Sequence, residues 1–542
     1  MSTIIDFQKV LDRVEEVKPL LSEDFASEFN LKSEEFLKEL QDSKYIKVPL
    51  VGVFSAGKSS LLNVFTQKPG MLPVDTEPET AVAYELYYAP TECVDLYRNG
   101  EKIDEKPLAD IKQLGTKPGD IAKVYCSSEP IKKLQERGII LVDMPGIGSG
   151  IERHDAAIFN YIHSGTAFIL VVDVEHGSLR SSTLAFMEEL SQYNMHPAVL
   201  VSKIDKKPEK DVKEIVEYIQ YQMGKLGDTN PYISTVCSVN NDLTGLDRYF
   251  DALNPEALLK EKLGRKLKFL VNAVIEQLKV RVELKNKDVA NVDEKLKQIE
   301  EEIANVKAEL PGDISQADSP EKSTRDILDN VEAALTARAL DIAQMIIDRE
   351  DQEAIKSFIV SIVRSEIITS MKDESEQYSA ALGSVVQDSV KKLAAIEVDV
   401  NFMNDFNDLI QEVTPYIEAL LTAGGIWGRL AQVLLPMLPE VLNWLFGKSD
   451  LEVLEEVRVK VMTKCVGQVT VGLKPTVYKM VVENQKRIHE KVQAELLSKI
   501  ESVKEGLKEK LADANKSKEM VASEVEQLNA AIMKLESALD NI

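Results

Sequence analysis

The octapeptide GVFSAGKS, Gly52 to Ser59, leaves this chain few folds to choose from. It matches the phosphate-loop (P-loop) pattern G-x-x-x-x-G-K-[ST], which works as the turn between a buried strand and the N-terminus of a helix. Both neighbours are in place, with IKVPLV reading as a strand before the loop and SLLNVF opening a helix after it. The nucleotide-binding set is then Gly52, Ser55, Ala56, Gly57, Lys58, Ser59 and Ser60. Backbone N–H groups from Ser55 to Ser59 wrap a polyphosphate, helped by the positive end of the following helix. Lys58 contacts the β- and γ-phosphates, and the Ser59 hydroxyl ligates Mg²⁺.

The rest of this region repeats the same grammar. GIILVDMPG, TAFILVVDV, HPAVLVSKI and PYISTVCS read as strands, separated by helical patterns such as LRSSTLAFMEELSQYN and DVKEIVEYIQYQMGKL. Asn99-Gly100, between CVDLYR and EKI, marks a two-residue hairpin. Strand–helix alternation predicts an α/β P-loop domain with a mostly parallel, doubly wound sheet.

Three further motifs fall at strand ends. LVDMPG places Asp143 to bind Mg²⁺ and Gly146 to sense the γ-phosphate through its N–H. VSKID separates GTP from ATP. A carboxylate at Asp205 accepts from guanine N1–H and N2–H₂, a pair adenine lacks, while the Lys203 stem lies along the base. The usual first residue is Asn or Thr, and here it is Ser202. After the next strand, CSVNN places the Ser238 N–H where it meets guanine O6. Within LPVDTEPETAV, Thr80 is the leading candidate for the threonine that closes over Mg²⁺ and the γ-phosphate, with Thr76 as the second choice. Ser55, Lys58 and Thr80 form the expected catalytic set, and Ser59, Thr80 and Asp143 the metal set. Where small regulatory GTPases carry a glutamine to orient water, this chain has Ile147, so water is positioned another way, with Ser55 the nearest aid.

At 542 residues the chain exceeds what one core can organise and predicts several domains. Residues 1–45 read as two helices separated at Pro19, with Phe7, Val10, Leu11, Val14 and Val17 on one face and Phe36, Leu37 and Leu40 on another. The P-loop domain covers 46–255, a helical neck and trunk 256–414, an apolar tip 415–449, and returning trunk and neck helices 450–542. Two heptad seams, Val289 to Leu310 and Val521 to Ile542, read as two arms of one intramolecular bundle, with an intermolecular coiled coil as the other option. A net charge of −25 without any Lys/Arg-rich run excludes nucleic acid as a partner. The four cysteines are scattered, fitting neither a disulfide framework nor a zinc site. MSTIIDFQKV lacks the basic and apolar regions of a secretory signal, which points to the cytoplasm.

The residues FSAGKSSLLN, PETAV, DMPGIGSG and SKID, with helices flanking the P-loop domain, resemble the dynamin superfamily and most of all bacterial dynamin-like proteins. That resemblance implies a GTPase domain, a neck that includes the N-terminal helix, a trunk and a lipid-facing tip. It also implies GTP/GDP and Mg²⁺ as ligands, self-association of GTPase domains across their nucleotide faces, and a monovalent cation in place of an arginine finger. Dimerisation would then supply the water positioning that Ile147 does not. Ser202, Phe54 and the lack of a pleckstrin-like or Pro-rich region depart from the family pattern.

Residues 424–447, GGIWGRLAQVLLPMLPEVLNWLFG, hold both tryptophans, and between Glu418 and Lys448 the only charged side chains are Arg429 and Glu440. The prolines at 436 and 439 break any single spanning helix. Trp427, Leu434, Leu435, Trp444 and Phe446 suit insertion at a lipid headgroup layer, with the protein peripheral to a membrane. Two other readings stay open: a surface for protein partners or self-association, and plain core.

Overall fold

The computed structural model describes residues 2–52, 55–73, 82–98, 100–117, 120–144, 146, 161, 167–179, 181–191, 195, 197–228, 230–286, 291–309, 319–350, 352–395, 430, 433–434, 438, 454–513 and 516–540. The expected sheet is there. Among the described residues it has nine strands, in the order β4-β3-β5-β2-β6-β1-β7-β8-β9. These are β1 (Ile46–Val51), β2 (Ala83–Tyr88), β3 (Cys93–Arg98), β4 (Glu101–Pro107), β5 (Ile121–Cys126), β6 (Ile139–Asp143), β7 (Ile169–Asp173), β8 (Ala198–Ser202) and β9 (Ile233–Thr235).

From β6 to β9 every neighbouring pair is parallel. β2 then runs antiparallel to β6 and parallel to β5, and the β3–β4 hairpin closes the far edge with antiparallel pairs. Arg98 pairs with Glu101, so the hairpin loop is two residues long, and Gly100 takes a left-handed φ of +84°. Strands β1, β6, β7 and β8 are almost wholly buried because helices cover both faces, which is why they read as continuous apolar runs. α3 (Lys58–Phe65), α4 (Glu129–Glu136) and α7 (Thr244–Ala252) cover one face. α5 (Ser181–Ser191) and α6 (Glu209–Lys225) cover the other.

Two helical bundles continue from the sheet. The first joins α1 (Ser2–Val17) and α2 (Glu23–Asp42) with α15 (Lys518–Leu539) and α8 (Pro255–Asn286) as far as Leu278. Phe7, Val14, Leu263, Leu267 and Leu535 are fully buried there. The second bundle contains the end of α8 with α9 (Val292–Glu309), α10 (Pro320–Ala337), α11 (Ala339–Ile347), α12 (Gln352–Ala395), α13 (Leu454–Lys460), a π-helical turn (Val461–Val466) and α14 (Gly467–Asp513). Its core is continuous with the α5–α6 face of the sheet, and Arg338 ties the two by donating to both carboxylate oxygens of Glu188 on α5.

Among the described residues both heptad seams pack within the chain but in different bundles, so they are not two arms of one bundle. Ile299, Ile303 and Val306 of α9 pack with α14, while Leu528, Ile532 and Leu535 of α15 face α8 and α1. One expectation is corrected. Leu434 does not face outward: with Leu430 and Leu438 it lies at most 1% exposed in the trunk core. The i, i+4, i+8 spacing puts the three leucines on one helical face, and that face is covered by protein. Trp427, Leu435, Trp444 and Phe446 lie outside the described residues. No helix among the described residues is long and apolar enough to cross a membrane.

Candidate functional site

The site assembles at the C-terminal ends of β1, β6, β7 and β8, where a parallel sheet opens onto its loops. Gly52 ends β1 under compulsion: an added Cβ would lie 2.3 Å from the backbone oxygen of Val171 on β7. Gly57 caps α3 at φ +88°, a conformation side chains rarely adopt. Ser55 takes φ +64° and is exposed at the loop's crest. Between them Ala56 is buried.

Lys58 opens α3, is buried, and donates from Nζ to Gly52 O at 3.1 Å. Burial pushes its ammonium below the ordinary lysine range, against the pull of Asp143. Ser59 Oγ donates to Asp143 Oδ2 at 2.6 Å, joining the loop to the end of β6. The other oxygen, Asp143 Oδ1, is buried and has no hydrogen-bond partner among the described residues. Burial raises the Asp143 carboxyl to about 6, although the Lys58 charge and the Ser59 hydrogen bond work the other way. A hydroxyl and an uncommitted buried carboxylate oxygen are hard oxygen donors, the kind Mg²⁺ takes, so these two side chains fit the expected ion. Gly146 is buried beside this strand end and Ser60 half-buried on α3. Thr76, Thr80 and Ile147 lie outside the described residues.

The residues expected to read the base lie at the end of β8 and in the turn that follows it. Ser202, a departure from the usual Asn or Thr, donates to Ala56 O at 2.7 Å with Val172 O at 3.2 Å. A hydroxyl is therefore enough to moor β8 to the phosphate loop. Lys203 follows at φ +57°, its Cε 3.8 Å from where a Gly57 Cβ would stand. Asp205 accepts from Cys237 Sγ at 3.2 Å. Cys237 belongs to a closed loop, exchanging backbone hydrogen bonds with Asp242, and Ser238 follows it half-buried. The phosphate, metal and base candidates that are described thus converge on one end of one sheet.

Three supporting residues escaped the sequence reading. Asp173 ends β7 and bonds Lys203 Nζ at 2.6 Å; Cys237 supports Asp205; and Asn63 on α3 clamps Leu72 with reciprocal side-chain bonds of 2.8 and 3.1 Å. The first had a visible signal, an acid closing an otherwise apolar strand, TAFILVVDV.

Comparison with known proteins agrees with this geometry. Residues 48–205 match the dynamin family. A protein from Caldicellulosiruptor sp. (strain Rt8B.4), described as an uncharacterized protein in the xynA 3' region, is 24% identical over 224 residues, 40% of this chain and 54% of that one. Dynamin-like protein A of Bacillus subtilis (strain 168) is 25% identical over 191 residues, 33% of this chain and 15% of that protein. The chain therefore spans about half the length, or less, of these curated relatives. A solved member of an oligomerised bacterial dynamin pair, described as sensing and tethering membranes at long range, aligns with a TM-score of 0.37 and 16% identity, over 99% of this chain and 82% of that one. Residues 48–205, which carry the phosphate loop, the Asp143 strand and β8, are thus similar to the dynamin family, and part of the chain is similar to a bacterial dynamin-like protein.

Proposed function

We propose that the protein binds GTP with Mg²⁺, hydrolyses it, and couples the cycle to pairing of GTPase domains and to membrane remodelling. The hydrolase reading rests on the Ser59–Asp143 contact, which sets a hydroxyl and a free carboxylate oxygen beside Lys58. Bound Mg²⁺ supplies charge neutralisation at the β- and γ-phosphates. The chain's own groups do the rest. Loop N–H groups and Lys58 hold the phosphates, the Gly146 N–H meets the γ-phosphate, and Thr80 closes over it. Asp205 accepts from the guanine edge, with the Lys203 stem along the ring and the Ser238 N–H at O6.

Ile147 cannot orient water, so that task falls to Ser55 and its loop, completed by a second copy. Exposure of Ser55 at a left-handed φ supports this, because the crest of the loop is open to a partner. A monovalent cation in place of an arginine finger belongs to the same scheme. Residues 424–447 supply the membrane contact through Trp427, Trp444 and Phe446.

The burial of Leu434 favours a second reading, a nucleotide-gated scaffold that assembles with protein partners and turns over little alone. Turnover against protein concentration, with and without phosphatidylethanolamine/phosphatidylglycerol vesicles, separates the two. The first reading expects GTP hydrolysis that rises with concentration or lipid and vanishes in Lys58→Ala. Tight GTP binding with flat, negligible turnover under every condition would move the scaffold ahead.

A further inference from the structure

Reading a base with a lysine poses a mechanical problem, because a flexible four-carbon stem must lie still along a ring. Lys203 is held at both ends. Its backbone sits at φ +57°, which an L-residue keeps only when its surroundings impose it. The surroundings are Ser202, moored to Ala56 O and Val172 O, and the turn in which Lys206 N–H bonds Lys203 O at 3.0 Å. At the other end, Nζ lies 2.6 Å from Asp173 Oδ2. Asp173 is 4% exposed, and its Oδ1 accepts from the Glu175 N–H at 2.8 Å. One carboxylate oxygen is therefore fixed to its own turn and the other to the lysine. The stem between these anchors passes Gly57 of the phosphate loop.

We propose that Asp173 is a positioning residue for guanine nucleotides, acting through Lys203: it draws the ammonium to the end of β7 so that the stem lies along the bound base. The proposal rests on the GTPase reading and adds to it a residue outside the nucleotide-binding motifs. The competing account is structural. A buried acid at a strand end, capping its own turn, can serve folding alone, and the two accounts differ in what its loss does to the base and phosphate halves of the ligand.

Isothermal titration with GDP and with inorganic pyrophosphate, both with Mg²⁺, discriminates between them. Asp173→Asn keeps the size of the side chain and its acceptor for Glu175 N–H but removes the charge that holds Lys203. The expected result is about a tenfold loss of GDP affinity, the scale of one charge-assisted hydrogen bond, with pyrophosphate affinity unchanged. In a Lys203→Ala background the same substitution should then do nothing more. Asp173→Glu, which keeps the charge but shifts it by one methylene, should fall between wild type and Asp173→Asn, and it carries the test if the asparagine variant does not fold. Equal losses for GDP and pyrophosphate, a loss that persists without Lys203, or no loss at all would overturn the proposal. Wild-type protein that binds ADP as tightly as GDP would instead refute guanine reading itself, a separate failure.

Discussion

Asp143 shows how far a single residue's surroundings reach. Its carboxyl is raised to about 6 by burial, so near neutral pH it is ionised and below that range a proton competes with any cation. Mg²⁺-dependent GDP affinity should fall as pH drops from 7.5 through about 6, approaching tenfold per pH unit below it, as one-proton competition requires. Titrations at pH 5.0 to 8.0 check this; a flat profile would remove Asp143 from the metal set. For the protein without ligand the sign is opposite. A raised carboxyl contributes stability that is complete below its unfolded value and is lost as pH rises through about 6. The gain in melting temperature on adding Mg²⁺ and GDP should therefore widen between pH 5.5 and 7.5. Gly52 gives a starker residue-level prediction. A Cβ at 2.3 Å from the Val171 oxygen meets backbone rather than a movable side chain, so Gly52→Ala should cost upwards of ~2 kcal/mol and lose nucleotide binding. Normal binding and unfolding by that variant would mean β7 lies further from the loop.

At the level of elements, what could be read from the sequence is what local pattern encodes. β1, β6, β7 and β8 are apolar runs bounded by turn residues, and α1 announces its buried face through the spacing of Phe7, Val10, Leu11 and Val14 before a break at Pro19. β2 and β5 were not legible, because AYELYY and IAKVYC owe their strand state to pairing with each other and, for β2, to running against β6. Pairing direction is a tertiary property that no window of residues contains. Leu434 was misread for a related reason, since an apolar helical face looks the same whether lipid or protein covers it. The docking of α5 on the trunk was equally hidden, and it yields a prediction. Met187, buried in the shared core, should cost ~2–4 kcal/mol when changed to Ala. Arg338→Ala should cost no more than ~1 kcal/mol, because the Arg338–Glu188 pair is more than a third exposed on both sides. Urea unfolding of both variants tests the ranking; equal losses would mean the ion pair matters to this contact as much as the packing does.

For the whole molecule, the decisive feature is that the two helical bundles share α8 but not a core. Leu278 belongs to the bundle with α1, α2 and α15, and Val280 and Leu284 to the trunk. The handover is ionic. Arg281 pairs with Glu509 at 2.7 Å, while Lys285 reaches Asp513 at 2.6 Å and Glu524 at 2.8 Å, and Lys516 meets the same two acids at 2.8 and 2.6 Å. Lys285 and Asp513 are buried while Glu509, Glu524 and Lys516 are about a third exposed, so a buried pair with a half-buried rim binds the ends of α8 and α14 to the start of α15. Burial alone would lower the Lys285 ammonium, but hydrogen bonds to Asp513 and Glu524 hold it above the ordinary range. Burial alone would raise Asp513, and hydrogen bonds from Lys285 and Lys516 hold it below. A raised lysine stabilises below its unfolded value and fails as pH rises through its folded one; a lowered acid stabilises above its unfolded value and fails as pH falls. The junction should accordingly be intact from about pH 5 to about pH 10 and weaken outside that window. Removing one partner of a buried ion cluster costs more than the cluster itself contributes, because the remaining charges stay desolvated. Lys285→Ala should thus destabilise by ~3 kcal/mol or more, and Lys285→Ala/Asp513→Ala/Glu524→Ala by less than the sum of the three single changes. Thermal unfolding of the four variants at pH 7, repeated at 0.5 M salt, reads both effects. If Lys285→Ala unfolds like wild type at low salt, the junction is only a solvated crossing of charges. If it falls as expected while the triple change recovers part of that loss, the cost is that of stranded charges, and the junction fixes where the bundles meet more than how strongly they are held.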